Sequence, residues 1–166
     1  QNTKTGQNRR KEKMKAFLQS PVGLIEIRET DGYISSVRII HQGGEEKADS
    51  SPLLNNAIKQ LEEYFSGKRK VFDLPQKQNG TPFQQKAWEY LSTIPYGKTV
   101  SYKDEAIAIG SPKGCRAVGA ANGKNNLAII VPCHRVVNEG GRLGGYAYGT
   151  DIKLLLLELE NYYNFM

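Results

Sequence analysis

Cysteine is scarce in this chain of 166 residues, with only Cys115 and Cys133. Two cysteines build no disulfide framework, so the fold rests on core packing, and any free reactive thiol requires a reducing compartment. Histidine is as scarce, with only His41 and His134. At no finger-like spacing, these four side chains offer zinc no ready cage, and no metal is expected. No apolar run is long enough to span a bilayer, which excludes a membrane helix and a membrane partner. The start, Gln1 to Lys13, has no apolar centre and is not a secretory signal. Residues 1–13 read as an added or disordered arm, because Met14-Lys15-Ala16-Phe17-Leu18 looks like a natural beginning.

Strong charge of one sign is also missing from the body of the chain. The net charge is +6, but Lys4, Arg9, Arg10, Lys11 and Lys13 against Glu12 place +4 in the arm and leave +2 elsewhere. A basic arm attracts phosphates weakly and in a salt-dependent way, and charge alone does not point to DNA.

What is present falls into two textures. Over 14–74, Phe17-Leu18, Leu24-Ile25-Glu26-Ile27 and Tyr33 to Ile40 alternate as strands between the turn signals Ser20-Pro21-Val22-Gly23 and Asp31-Gly32. Ser51-Pro52 opens a helix whose apolar stripe is Leu54, Ala57, Ile58, Leu61 and Phe65, and Gly67 closes it. Val71-Phe72-Asp73-Leu74 reads as a further strand. Residues 75–80 form a linker. Over 81–166 short helices dominate: Thr81-Pro82 caps one carrying Phe83, Ala87, Trp88 and Leu91, and Ser101 caps another from Tyr102 to Ile109. Ser111-Pro112 starts the next at once, a helix-turn-helix spacing. The fold class is therefore α+β: a small antiparallel-sheet N-terminal domain, then a mainly helical domain holding the helix-turn-helix.

That second helix, Lys113 to Asn122, is thin. Its glycines, Gly114 and Gly119, each cost ~1 kcal/mol against alanine. Such a helix suits close packing on a neighbour or close approach to a ligand, and Arg116 projects from it without bulky neighbours.

The chemistry lies in Pro132-Cys133-His134-Arg135-Val136-Val137. The apolar run Leu127 to Val131 leads into it as a short buried strand, so Cys133 stands at the edge of a core. A lone cysteine there is most often core filler, and a lone histidine most often a satisfied structural one. Side by side, an imidazole can take the proton of a thiol and make it a nucleophile.

The hexapeptide resembles the active-site signature of the O6-alkylguanine-DNA alkyltransferases, or methylated-DNA–protein-cysteine methyltransferases. Thr81-Pro82-Phe83-Gln84, Ile94-Pro95-Tyr96-Gly97-Lys98-Thr99, Ser101-Tyr102, Arg116-Ala117-Val118-Gly119 and Asn125 follow that family's order and spacing, as does Lys153 to Glu160. The match is dense over 81–160 and loose over 14–74. The resemblance implies a DNA repair protein that flips O6-alkylguanine out of duplex DNA and moves the alkyl group irreversibly onto Cys133. His134 would act as base through a water, Glu160 would orient the imidazole, Asn125 would brace the turn, and Tyr102 would hydrogen-bond the flipped guanine. Arg116 would fill the emptied stack, Gly114, Ala117 and Gly119 would let the helix enter the minor groove, and Ser101 and Arg135 would join the DNA contacts. The resemblance further implies a monomer in the cytoplasm (the nucleus in a eukaryote), with no cofactor. Three departures lie along the substrate loop and leave alkyl-size preference open: Asn125-Asn126 for the usual Asn-Pro, Tyr148-Gly149 for Gly-Gly, and Ala147 for a frequent serine. Cys115 has no implied role.

Two other classes compete. One is a non-catalytic module that recognises alkylated bases and recruits other repair; the presence of Cys133, His134 and Glu160 argues against it. The other is a cysteine hydrolase using Cys, His and Glu, which leaves the helix-turn-helix without a use.

Overall fold

The structure is a computed structural model that describes residues 13–43 and 47–165. The arm expected over 1–13 lies outside the described residues except at Lys13, which belongs to the first strand. Strands β1 (Lys13–Ser20), β2 (Gly23–Thr30) and β3 (Tyr33–Ile40) form an antiparallel meander in the order β1-β2-β3. The alternation in the sequence sets its register, with Leu18 opposite Ile25 and Ile27 opposite Val37 on the buried face. Asp31 and Gly32 turn the second hairpin with φ of 53° and 81°. This is the left-handed pair that an Asp-Gly turn supplies most easily.

Helix α1 (Pro52–Phe65) covers the sheet. The Ser51 hydroxyl accepts from the Leu54 amide, and Pro52 occupies the first turn, where no N–H is needed. Its buried stripe is Leu54, Ala57, Gln60, Leu61 and Tyr64, so two polar side chains complete the face where the sequence pattern favours Ile58 and Phe65. Gln60 explains why Val71 to Leu74 is not the expected strand. Its side chain donates to the Asp73 carbonyl at 3.0 Å and accepts the Asp73 amide at 2.9 Å, taking the bonds a strand partner would use.

Helix α2 (Pro82–Leu91) begins in a capping box between Thr81 and Gln84 and buries Ala87, Trp88 and Leu91. Then come β4 (Val100–Ser101), α3 (Tyr102–Ala108) and α4 (Cys115–Gly123). Ser101 and Asp104 form a second capping box at the start of α3. Helix α4 starts later than the sequence suggests, because Ser111 to Gly114 form a turn closed by a bond from the Gly114 amide to the Ser111 carbonyl. Gly114 is thus the cap of α4 and not part of its interior. Ala106 and Ile109 of this hairpin pack with Val118, Ala121 and Ala87. A 3₁₀ turn, Cys133–Arg135, leads into β5 (Val136–Val137), which pairs parallel to β4, and α5 (Thr150–Asn164) closes the chain.

One core joins the two textures. Ile25, Ile27, Leu54 and Leu61 share a cluster with Trp88, Leu91, Leu127, Ile129 and Leu156. The fold is α+β, as the sequence implies. Among the described residues no helix is long and apolar enough to cross a membrane.

Candidate active site

The segment before Cys133 is buried, as expected, but it is not a strand. Val37 of β3 accepts one bond from Ala128 and donates one to Asn126, and there the ladder stops. The chain then folds on itself, with Ile130 donating to Ala128, Val131 to Leu127 and Cys133 to Val131. Ile129 is forced to a φ of 72°, a costly conformation for a β-branched residue. Asn125 holds this turn together. Its Nδ2 donates to the Val131 carbonyl at 2.8 Å, and its Oδ1 accepts from the Leu127 amide at 3.0 Å and from Gln78 Nε2 at 2.9 Å. The same Nδ2 lies 3.5 Å from Cys133 Sγ. Burial pushes the Cys133 thiol up, while the Asn125 amide and the Lys153 ammonium favour its thiolate.

His134 follows Cys133 and is fully buried. Its Nε2 meets Glu160 Oε2 at 2.7 Å. Burial lowers the imidazole pKa, so the ring is neutral near pH 7. Burial alone would raise the Glu160 carboxyl, but the hydrogen bonds of His134 and Arg135 and the Arg135 charge, joined in acid by that of protonated His134, outweigh it and hold the acid at about 2. A carboxylate can only accept, so Nε2 carries the ring proton and Nδ1 keeps a free lone pair. Among the described residues Nδ1 is buried without a partner. It is an unused acceptor on the residue next to the thiol.

Arg135 corrects an expectation. The resemblance puts it among the DNA contacts, yet it is 6% exposed. Its Nε and Nη2 hold the two oxygens of Glu160 at 2.8 and 3.1 Å, and Nη1 donates to the Ile94 carbonyl at 2.7 Å. A guanidinium committed in this way has no donor turned to a phosphate; its part is to balance the buried carboxylate. Tyr64, on α1, adds a 2.6 Å bond to Glu160 Oε2, and the Gly97 amide reaches Oε1.

Above Cys133 opens a cavity of about 510 Å³, lined by Tyr102, Arg116, Gly119, Asn122, Cys133, Gly144, Gly145 and Tyr146 among others. Tyr102 is half-buried at the start of α3, and its hydroxyl donates to the Gly145 carbonyl at 3.4 Å. Burial, reinforced by the Cys133 thiolate, raises its pKa and keeps the phenol protonated. Gly144 has a φ of 72°, and a Cβ there would stand 3.0 Å from the Tyr102 ring. Lys153 is fully buried on α5 and donates to the carbonyls of Val136, Leu143 and Gly145. Burial lowers its pKa to about 8, and the Cys133 thiolate opposes the shift. This lysine ties the loop that walls the cavity to the closing helix.

On α4, Arg116 and Ala117 are exposed, and a Cβ at Gly119 would meet the Tyr102 ring at an ordinary 3.8 Å. Among the described residues Arg116 makes no hydrogen bond or ion pair, so its guanidinium is free at the cavity rim. Gly114 has a local reason to be glycine: a Cβ would lie 2.5 Å from Ser111 Oγ. The Ser101 hydroxyl is used in capping α3.

Cys133 and Tyr102 thus line one cavity, while Asn125 reaches the thiol and His134 and Glu160 form a buried pair beginning at the residue after Cys133. Sequence reasoning misses Lys153, Tyr64 and Tyr146. A lysine inside the apolar run of α5 was a usable signal for the first, since a buried amine needs several acceptors. Tyr64 sits at helical spacing from Leu61 and reads as core filler. Tyr146, whose ring meets His134 edge-on at 6.5 Å, lies in a loop with no period to read. Among the described residues no group of three or more His, Cys, Asp or Glu is placed to hold a metal.

The chain matches two family descriptions: "6-O-methylguanine DNA methyltransferase, ribonuclease-like domain" over residues 13–78, and "6-O-methylguanine DNA methyltransferase, DNA binding domain" over 82–162. The constitutive methylated-DNA–protein-cysteine methyltransferase of Bacillus subtilis is 56% identical over 111 residues, covering 66% of this chain and 67% of that protein. The methylated-DNA–protein-cysteine methyltransferase of Methanosarcina acetivorans is 42% identical over 152 residues, 87% of this chain and 96% of that one. A crystal structure of the Mycobacterium tuberculosis protein in complex with DNA superposes with a TM-score of 0.81 at 41% identity, covering 89% and 92% of the two chains.

Proposed function

This chain belongs to the 6-O-methylguanine DNA methyltransferase family, and we propose from that membership that it repairs O6-alkylguanine in duplex DNA by taking the alkyl group onto Cys133. The observation that carries this reading is the buried line from Glu160 through the His134 Nε2–H, with Nδ1 unpartnered among the described residues on the residue that follows the thiol. In the first step the Cys133 S–H proton passes to His134 Nδ1, through a water. Glu160 holds the ring in the needed tautomer and balances the imidazolium, and Arg135 and Tyr64 keep that carboxylate ionised. The thiolate then attacks the alkyl carbon: the S–C bond forms, the C–O6 bond breaks, and the electron pair leaves with guanine. Tyr102, held as a phenol, donates to the departing base. The resulting thioether has no hydrolytic group directed at it, so each molecule acts once.

A stacked guanine hides its O6, so the base must be flipped into the cavity. Arg116, free at the rim, fills the gap, while Ala117 and Gly119 keep the face of α4 low enough for the minor groove. Ser101 contributes at the foot of α3. DNA is the macromolecular partner, and the protein acts as a monomer. The thiol chemistry needs a reducing compartment, which supports a cytoplasmic site, or a nuclear one in a eukaryote. Residues 14–74 and 81–166 serve as two domains joined by 75–80, with the first bracing the second through Tyr64. An oligonucleotide duplex carrying radiolabelled O6-methylguanine tests the reading. Label should move to the protein in a one-to-one burst and remain on the peptide containing Cys133. Tight binding without transfer would replace it with a recognition module.

A further inference from the structure

Glu105 is fully buried on α3, outside the machinery described above. Among the described residues its carboxyl has one hydrogen bond, from Asn122 of α4, whose Nδ2 donates to Oε1 at 2.8 Å. Two buried oxygens there remain without a partner among the described residues, Glu105 Oε2 and Asn122 Oδ1. With the carboxylate ionised, both are acceptors, and neither can satisfy the other. One added proton removes both deficits. A carboxyl and a carboxamide are planar forks of the same shape, so a proton on Oε2 is offered to Oδ1 while Nδ2 serves Oε1.

We propose that Glu105 is a protonated positioning residue, whose carboxyl closes a ring of two hydrogen bonds with the Asn122 carboxamide and fixes the helix of Tyr102 against the helix of Arg116. The surroundings agree. Ala87, Ala106, Ile109, Val118 and Ala121 form the cluster at this seam, with Phe83, Tyr90 and Tyr102 packed against it. The titratable groups in the field of Glu105 are Tyr90 on α2, Tyr102 on its own helix and Cys133 on the 3₁₀ turn. None is a cation. Asp104 is turned back on the Ser101 amide at 3.0 Å, and among the described residues no ion pair reaches Glu105. Burial pushes the Glu105 carboxyl up to about 7, opposed only by the Asn122 amide. Asn122 also lines the cavity, so the ring is part of its wall.

The folded pKa is raised, so the stabilisation is complete in acid. It is lost as pH rises from the ordinary value of 4.5 through about 7. Only the kinetic consequence rests on the alkyl-transfer reading, and the first two measurements do not involve it. Carbon-13 NMR of the full chain labelled at glutamate carboxyls should show one resonance, absent in Glu105→Gln, that titrates near neutrality. A Glu105 resonance titrating in the ordinary carboxylate range overturns the proposal, and this titration needs no stable variant. Glutamine carries a donor and an acceptor at every pH and keeps both bonds. Relative to Glu105→Gln, the wild-type folding constant should fall about tenfold per pH unit between 4.5 and about 7, then level off. A ratio independent of pH overturns it. Relative to the same variant, wild-type transfer from duplex DNA should decline as pH passes neutrality. A fixed ratio there overturns the positioning role, whereas absence of transfer in both proteins at every pH overturns the function of Cys133 instead.

Discussion

Glu160→Gln probes the buried network at its centre. In the folded protein the carboxyl titrates at about 2 against an ordinary 4.5. At ~1.4 kcal/mol per pH unit, its ionisation contributes about 3 kcal/mol of stability. Glu160 is 1% exposed, so solvent screening takes little from that figure. A folded pKa below the unfolded one places the contribution above pH 4.5 and removes it as pH falls through about 2. The same loss seen from the other side leaves the Arg135 guanidinium buried with no counter-charge, and breaking a buried pair from one side costs ~3–5 kcal/mol, a figure of the same order. For a chain of this size, each kcal/mol moves Tm by roughly 2–4 °C. Calorimetry at neutral pH should therefore find Glu160→Gln melting about 10 °C below wild type. In acid the wild-type carboxyl becomes protonated as well, and the gap should close. A gap of equal size at both pH values would refute the reasoning, because it would locate the loss in packing and not in charge. Label transfer should fall at least ~100-fold, since His134 loses the carboxylate charge that balances its imidazolium, and a glutamine turned to accept from Arg135 and Tyr64 no longer fixes its tautomer.

Other expectations follow from the same geometry. Cys133→Ser should abolish transfer while a filter-binding assay finds DNA affinity nearly unchanged, because affinity rests on phosphate and shape contacts. If the variant is still labelled at a normal rate, Cys115 becomes the suspect. Arg116→Ala should slow transfer from duplex DNA far more than transfer from free O6-benzylguanine, which needs no flipping. Lys153→Ala should cost about 3 kcal/mol in urea unfolding, because three carbonyls lose their donor, and should loosen the loop beside Tyr102. A loss below 1 kcal/mol would mean that those carbonyls find other partners.

The local features were legible because each depends on neighbours in sequence. Ser51-Pro52, Thr81-Pro82 and Ser101 cap helices where the residue types say they should, and Asp31-Gly32 makes its turn by its own preference for positive φ. The alternation of β2 placed Ile25 and Ile27 inward before any partner strand was known. The adjacency of Cys133 and His134 named the chemistry, since a thiol and an imidazole need only proximity to suggest proton transfer.

Long-range competition for hydrogen bonds was not legible. Val71 to Leu74 lost its strand to the Gln60 side chain, and Leu127 to Val131 lost its strand to internal turns pinned by Asn125. Both segments are apolar enough for strands, but a period says nothing about which donor arrives first. Arg135 makes the same point about charge. By sequence it is a cation in the active-site motif, free to be read as a DNA contact, and in space it belongs to Glu160. The capped helices, the hairpins and the Cys133-His134 pair proposed to carry the chemistry are properties of a few consecutive residues, so they can be read from the chain alone. Which buried charges face one another is settled by the folding of the chain as a whole. Tyr64, Arg135 and Glu160 meet from distant parts of the chain, and a charge removed from water must find its partner through the fold.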